Sequence, residues 1–343
     1  MTTEREAMDT ALALAATPGV PLGPNPRVGC VLLSPSGEVV GEGYHRGAGT
    51  PHAEVDALRA AGEAACGATA VVTLEPCDHT GRTGPCTQAL LAAGVRRVVH
   101  AVADPNPDAA GGATTLRAAG VEVVGGLAED AARALNRAWL HGLAHGRPFV
   151  TWKLAATLDG RSAAADGTSR WVSGPESRLD THRLRAEADT MLVGTSTILV
   201  DDPLLTVRDA DGDPLPHQPL RAVMGLRDLP ADARVLADVP GAPDTPATLH
   251  LRTRDPHEAM SALFEQGRRH VFCEGGPTLA AALWRAGVVD EVVCYTTPML
   301  LGAGRAAVGD LGVTTIADAV RPEVVDVTRV GDDVRWTLRP RRQ

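Results

Sequence analysis

Pro51-His-Ala-Glu54, followed past a β-rich interval by Glu75-Pro-Cys-Asp-His-Thr-Gly-Arg-Thr-Gly-Pro-Cys86, gathers three zinc-competent side chains into one short segment. The imidazole of His52 and the thiolates of Cys77 and Cys86 are donors soft enough for Zn²⁺, and three protein ligands leave the fourth tetrahedral position to water. An open position implies catalysis rather than a structural site. Glu54, two residues from His52, is placed as a general acid/base beside that water and not as a ligand. A lone His-x-Glu arises often by chance, and a lone cysteine is more often a small buried hydrophobe. What joins them is their order: His52 and Glu54 begin one predicted helix, Ala70-Val-Val-Thr-Leu74 reads as a strand, and Pro76-Cys77 follows it.

At 343 residues the chain is too long for one ordinary core, so two domains are expected, 1–145 and 146–343. Aromatic residues make up only 3%, which leaves the cores to Ala, Val and Leu. Asp and Glu number 42 against 33 Lys and Arg, a net charge of -9. A protein that grips a phosphate backbone carries the opposite balance, so nucleic acid is not the expected partner. Six cysteines, two of them committed to metal, do not make a disulfide framework. Met1-Thr-Thr-Glu-Arg-Glu6 is polar, with no apolar run behind a basic start, and no stretch approaches a membrane span. The expectation is a cytoplasmic protein without a membrane partner.

Thr3 and Glu6 fit a capping box that opens a helix through Ala16, and Pro18-Gly19 ends it. Gly23-Pro-Asn-Pro-Arg-Val-Gly-Cys-Val-Leu-Leu33 reads as a rigid turn and a strand, and Val39 to Gly43 as its hairpin partner. Asn25 sits between two prolines that aim its amide. Val55 and Leu58 are expected to give the metal helix its buried face. His45 and His79, loop histidines in isolation, become plausible contacts to a ring or a phosphate beside a zinc. A strand at Arg97 to Ala103, a loop at Asp104-Pro-Asn-Pro-Asp, a helix, a short strand at Val121 to Val124 and a helix from Glu129 to about His141 complete the half. A three-layer α/β/α sandwich is the expected packing.

The second half begins at Gly146-Arg-Pro with a strand, Phe149 to Leu154, and a turn at Asp159-Gly160. A glycine-bounded loop, Gly167 to Gly174, leads into a helix from Pro175 that carries Arg178, His182, Arg183 and Arg185. Strands are expected at Thr190 to Val193, Leu220 to Met224, Thr248 to Arg252, His270 to Cys273 and Glu291 to Thr296. Gly194-Thr-Ser-Thr reads as a turn, Pro256 to Gln266 as a helix and Gly331-Asp-Asp as a final hairpin. Glu274-Gly-Gly-Pro-Thr-Leu-Ala280 brings two glycines to a helix N-terminus, where backbone N–H groups would suit a pyrophosphate. A mixed sheet flanked by helices is the economical fold.

These motifs resemble the bifunctional riboflavin-biosynthesis deaminase–reductase family. They include Pro24-Asn-Pro-Arg-Val-Gly-Cys-Val31, Pro51-His-Ala-Glu-Val55 and the segment from Glu75 to Cys86, whose wide cysteine spacing differs from the C-x-x-C of nucleoside and tRNA deaminases. In the second half they include Lys153-Leu-Ala-Ala-Thr-Leu-Asp-Gly-Arg161, Ser169-Arg-Trp-Val-Ser173, Asp201-Asp-Pro-Leu-Leu-Thr-Val-Arg208 and Glu274-Gly-Gly-Pro-Thr-Leu279. The resemblance implies a cytidine-deaminase-like domain followed by a dihydrofolate-reductase-like α/β domain that uses NADPH. The implied substrate is a phosphorylated pyrimidine, 2,5-diamino-6-ribosylamino-4(3H)-pyrimidinone 5′-phosphate, deaminated at its 2-amino group and then reduced from ribosyl to ribityl.

By the same resemblance Asn25, His45 and His79 fix the pyrimidine or its phosphate. Ala155, Trp171, Thr197, Asp201 and the turn Gly276, Pro277, Thr278, Leu279, Ala280, Ala281 and Ala282 contact NADPH. Lys153, Ser169, Arg185, Leu205, Arg208 and Glu274 contact the reductase substrate, with the arginines on its phosphate. A homo-oligomer through the reductase domain is implied too. The chain departs from the family pattern at Asp104-Pro-Asn-Pro-Asp-Ala-Ala-Gly-Gly-Ala113, at Gly84, and at Met224-Gly225-Leu226, where an Asp-Ser pair is usual and Arg227 is a candidate substitute. The rival reading is a nucleoside or tRNA deaminase with an appended non-catalytic domain; the acidic charge and the cysteine spacing argue against it.

Overall fold

A computed structural model describes residues 1–79, 84–107 and 109–341, so Thr80 to Thr83 of the cysteine motif and Asp108 lie outside the described residues. The chain divides into two compact α/β units, Met1–His145 and Gly146–Gln343.

The first unit runs α1 (Glu4–Ala15), β1 (Gly29–Leu33), β2 (Val39–Tyr44), α2 (Ala53–Ala61), β3 (Thr69–Leu74), α3 (Cys86–Ala92), β4 (Arg97–Val102), α4 (Gly112–Ala118), β5 (Glu122–Gly125), α5 (Glu129–Leu135) and α6 (Arg137–His145). The capping box forms as read: the Glu6 N–H donates to the Thr3 hydroxyl at 3.2 Å, and the Thr3 N–H donates to Glu6 Oε2 at 2.8 Å. The sheet has the order β2-β1-β3-β4-β5, with β1 antiparallel to both neighbours and β3, β4 and β5 parallel. α1 packs on β1 and β3 and meets α5, while α2 packs on β1 and β2 and meets α3, which meets α4. The sheet is thus covered on both faces, and β1 is buried at every position, as a strand between two helical layers must be.

Two expectations for this unit need correcting. α2 is buried through Ala53, Glu54 and Ala57; Leu58, half-buried, does pack on the core as expected, while Val55 is half-buried outside that cluster. The cause is the close approach of α2 to β2: a Cβ on Gly41 would lie 2.4 Å from the Ala57 carbonyl oxygen, and one on Gly43 2.4 Å from the Ala57 nitrogen. Only alanines on the helix and glycines on the strand allow that distance. Gly43→Ala is therefore expected to destabilise the unit by about 1–3 kcal/mol through overpacking, measured as a lower urea midpoint, and to loosen zinc retention because α2 carries the metal-site residues. The second correction is that the helix expected from Glu129 to about His141 breaks at Asn136 and continues to His145. Asn136 turns its side-chain amide onto the backbone of Arg27, accepting from its N–H at 2.9 Å and donating to its carbonyl at 2.8 Å.

The second unit runs β6 (Phe149–Thr157), β7 (Arg161–Ala163), α7 (Pro175–Ala186), β8 (Thr190–Gly194), α8 (Thr195–Asp201), β9 (Leu220–Met224), β10 (Leu249–Leu251), α9 (Pro256–Glu265), β11 (His270–Cys273), α10 (Pro277–Arg285), β12 (Glu291–Thr297), β13 (Arg305–Ala306), β14 (Glu323–Val330) and β15 (Asp333–Arg339). Its sheet has the order β10-β9-β8-β11-β6-β12-β15-β14. The strands from β10 to β12 are parallel, and β15 and β14 add an antiparallel edge. Trp152, Leu192, Ala222 and Cys273 pack with Met260 and Leu263 of α9 and Leu283 of α10. Met191, Val193, Val223 and Phe272 face the other way, into a second cluster with Leu184 of α7 and Ile198 of α8. The expected turn at Gly194-Thr-Ser-Thr is instead the start of α8, whose apolar Ile198 is anchored in that second cluster.

Candidate active sites

In the first unit the sequence-predicted ligands converge. His52 is the N-cap residue of α2 and makes no side-chain capping bond, which leaves its ring free. Cys77 follows β3, and Cys86 opens α3. His52 Nδ1 lies 3.2 Å from Cys86 Sγ and 3.5 Å from Cys77 Sγ, and all three ligand atoms fall within 4.8 Å of one another. Hydrogen bonds from the Cys86 thiol, from His52 and from the Cys86 N–H hold Cys77 well below the ordinary thiol range, which favours a metal-binding thiolate. The hydrogen bond to Cys77, together with burial, raises the Cys86 thiol when no metal is bound. Two adjacent sulfurs and one imidazole, two of the three buried, form a donor set that fits Zn²⁺.

Glu54 is 3% exposed, and burial pushes its carboxyl up to about 7. His45, expected as a loop histidine, is buried and neutral: burial lowers its pKa, its Nδ1 meets the Pro51 carbonyl at 3.0 Å, and its Nε2 meets the Asn25 side-chain amide at 3.0 Å. Asn25, His45, His52, Glu54, Cys77 and His79 all line one cavity of about 200 Å³. Among the described residues the buried Nδ1 of His79 has no hydrogen-bond partner, which leaves it open to a ligand. Sequence reasoning missed Glu75, Asp104 and Trp139 on the same wall and left Asn106 without a role. Asp104 and Asn106 were signalled by the rigid Asp-Pro-Asn-Pro run. Trp139 carried no signal; its indole N–H donates to the Pro24 carbonyl at 3.1 Å and so braces the turn that holds Asn25.

In the second unit the alternation of β6 puts Trp152 and Leu154 on the α10 side and Lys153 and Ala155 on the α7 side. Lys153 Nζ stands 5.6 Å from the Tyr295 ring centroid, and the Tyr295 hydroxyl donates to Asp180 of α7 at 2.7 Å. Arg185 of α7 reaches Glu274, just past β11, with Nη2 donating at 2.9 Å, and its Nη1 donates to the Thr206 carbonyl at 2.8 Å. The Arg208 N–H donates to His182 Nδ1 at 3.1 Å, and its Nε to the Thr206 hydroxyl at 3.1 Å. Burial, reinforced by the charge of Arg185, drives His182 down to about 4 and leaves it neutral. Burial lowers Lys153, while Glu274 opposes that shift. Three cations thus face one carboxylate, a local excess of positive charge suited to a phosphate dianion.

Leu205 is a core residue, 4% exposed with φ 54°, so only its backbone is available to a ligand. Ser169 is half-buried, and Trp171 is exposed, with the Arg178 guanidinium 4.6 Å from its ring centroid. Thr197 and Asp201 lie on α8, and the Asp201 carbonyl accepts from Arg170 at 2.9 Å. The chain leaves β8 for β9 on one side and leaves β11 past β6 for β12 on the other, so the strand order reverses between β8 and β11. Ligands in open α/β sheets bind at such a point. There Gly276 caps α10, and a Cβ on it would meet open space. Pro277 and Leu279 are half-buried and Thr278 is exposed; Ala280 and Ala281 point into the core, and Ala282 is half-buried. The altered Gly225 has φ 140°, and a Cβ there would lie 2.8 Å from the Thr195 hydroxyl, so β9 ends against the start of α8. Arg227 donates to Ser196 at the same edge. Uncapped N–H groups of α10 beside glycines that leave the backbone bare fit the diphosphate of a dinucleotide.

Fold and site geometry together define a zinc deaminase joined to a reductase. Residues 1–102 match the cytidine and deoxycytidylate deaminase zinc-binding region, and residues 148–335 match the RibD C-terminal domain. The riboflavin biosynthesis protein RibD of Mycobacterium tuberculosis is 51% identical over 92% of this chain and 91% of its own length. The solved RibD of Acinetobacter baumannii superposes with a TM-score of 0.87 at 37% identity, covering 99% of each chain. A Thermotoga maritima structure titled diaminohydroxyphosphoribosylaminopyrimidine deaminase/5-amino-6-(5-phosphoribosylamino)uracil reductase gives 0.86 at 29% identity, covering 98% of this chain and 99% of that one. This chain belongs to the RibD family of bifunctional riboflavin-biosynthesis deaminase–reductases. Its cofactors are Zn²⁺ and NADPH. Among the described residues no helix is long and apolar enough to cross a membrane.

Proposed function

We propose that the unit 1–145 hydrolyses the 2-amino group of 2,5-diamino-6-ribosylamino-4(3H)-pyrimidinone 5′-phosphate and that the unit 146–343 then reduces the ribosyl side chain. The observation that carries the reading is the convergence of His52, Cys77 and Cys86 on one point with Glu54 in the same cavity. Bound zinc supplies the Lewis acidity that makes water a nucleophile near neutral pH, and bound NADPH supplies a hydride. Glu54 takes the proton of the attacking water and returns it to the departing amine, so that water and the C–NH₂ group become a carbonyl and ammonia. Asn25 and His45, locked to each other, present a fixed polar edge to the ring, and His79 offers its free Nδ1.

In the second unit Arg185 and Arg208 take the substrate phosphate and Lys153 orients the sugar. Glu274 fixes Arg185 from behind. Ser169 and the Leu205 backbone complete the substrate wall. Ala155, Trp171, Thr197, Asp201 and the turn from Gly276 to Leu279 border the dinucleotide, with Ala280 and Ala281 buried behind that turn. Val324 and Val327 of the edge strand β14 are about half exposed, at 55% and 50%, beside Trp336 of β15, an apolar strip that supports association of two copies through this unit. A cytoplasmic location agrees with this chemistry.

The test is an assay on zinc-loaded protein that follows ammonia release and NADPH oxidation separately. Both signals are expected, with the second lagging the first. Absence of ammonia from the diaminopyrimidinone phosphate would overturn the deaminase reading, and ammonia without NADPH oxidation would overturn the reductase reading.

A further inference from the structure

Two carboxylates flank the ligand Cys77 without serving as ligands: Glu75 bonds the pocket wall opposite, and Asp78 bridges α3 and α4. Glu75 is 8% exposed and divides its oxygens: Oε2 accepts from the Asp104 N–H at 3.1 Å, and Oε1 accepts from the Ala113 N–H at 2.8 Å. Those two amides stand where the chain enters the Asp104-Pro-Asn-Pro stretch and where it leaves into α4. Asp78, on the other side of Cys77, accepts from the Thr87 hydroxyl of α3 at 2.6 Å and from the Thr115 hydroxyl of α4 at 2.5 Å. Its N–H donates to the Ala109 carbonyl at 3.1 Å. A Cβ on Gly112 would sit 1.8 Å from the Pro76 carbonyl oxygen, so α4 starts in direct backbone contact with the same turn.

We propose that Glu75 and Asp78 are positioning residues that latch the wall bearing Asp104, Asn106 and Ala109 onto the Cys77 turn, and thereby set how tightly the deaminase holds its pyrimidine. The physical argument is economy of contact. A buried carboxylate needs two or more donors, and those of Glu75 come from both ends of one wall segment rather than from its own turn. The segment's described residues include side chains that line the cavity, and none of these residues belongs to a strand of the sheet. Its placement over the ring therefore depends on these two side chains together with the backbone contacts Asp78–Ala109 and Pro76–Gly112, while Glu75 bonds no element that carries a metal ligand. The latch acts on substrate binding and leaves the chemistry at Glu54 and the ligand set intact.

The inference rests on the deaminase reading above, and its test keeps the two separable. Zinc-loaded full-length wild type, Glu75→Gln and Asp78→Asn are compared for metal content, steady-state ammonia release and amide exchange. For Glu75→Gln we expect one zinc per chain, KM raised about tenfold or more with kcat within about threefold, the scale of one charge-assisted hydrogen bond, and faster exchange at Asp104 and Ala113. Asp78→Asn faces two threonine hydroxyls, which can rotate to accept from the new amide as backbone N–H groups cannot, and is expected to shift KM in the same direction by less. If Glu75→Gln does not fold, the KM of Asp78→Asn decides alone. Unchanged KM, a fall confined to kcat, or loss of zinc in either variant would overturn the latch. A wild type that releases no ammonia would instead overturn the deaminase reading.

Discussion

Glu54→Gln is expected to keep its zinc and to lose ammonia release by about 10³-fold, the range that a positioned general acid/base contributes, while NADPH oxidation with the deaminated intermediate continues at the wild-type rate. The amide preserves the size of the side chain in a spot where Glu54 is 3% exposed, so neither packing nor the His52, Cys77 and Cys86 cluster is disturbed. What is removed is the capacity to take a proton and give it back. Burial holds this carboxyl up at about 7, which places it close to the pH at which it must do both. The check is a zinc titration together with the two-channel assay. Ammonia release at the wild-type rate would assign the proton transfer to another group. Loss of NADPH oxidation as well would show that the variant disturbs more than one unit.

The zinc cluster was legible because its chemistry needs particular side chains in a particular order: His52-x-Glu54 opening α2, Cys77 after β3 and Cys86 opening α3. Most strands of both sheets were legible for a simpler reason, their apolar runs bounded by turn residues, and the His270–Cys273 strand falls where the sequence puts it. What could not be read depends on partners distant in sequence. The buried face of α2 follows from Gly41 and Gly43 on another strand, so of the two large residues Leu58 reaches the core and Val55 does not. The break at Asn136 comes from its hold on Arg27, 109 residues away. α8 was read as a turn because Gly194-Thr-Ser-Thr has turn composition; Ile198, buried against Met191 and Phe272, makes it a helix. The mini-sheet of β7 and β13 joins Ala163 to Arg305, and neither short segment has periodicity of its own. Glu75 stood in plain view inside a quoted motif, but its role lies in two backbone amides that composition cannot reveal.

The second large effect is expected at the ion pair that closes the reductase wall. Arg185 and Glu274 are 16% and 14% exposed at their side chains, and Arg185→Met leaves the carboxylate buried without its guanidinium. Breaking one side of a buried pair costs about 3–5 kcal/mol, and nearby Lys153 offsets part of that, so about 3 kcal/mol at pH 7 is expected from urea denaturation. The pH dependence identifies the cause. Burial pushes Glu274 up, but the charge and hydrogen bonds of Arg185 prevail and hold it at about 2, below its ordinary 4.5. A depressed folded-state pKa contributes stability that is present above pH 4.5 and is lost as pH falls toward 2. In Arg185→Met burial acts with less opposition, the Glu274 pKa rises, and protonation relieves the buried charge. The stability gap between wild type and variant is therefore expected to be widest at neutral pH and to narrow as the pH drops through 4.5. Arg185→Met/Glu274→Gln removes the stranded charge and is expected to recover more than half of the loss at pH 7, yet to remain inactive as a reductase if Arg185 takes the substrate phosphate as proposed. A gap independent of pH, with no recovery in the double variant, would mean that Arg185 stabilises this unit by packing on Thr206 and its neighbours rather than by neutralising Glu274.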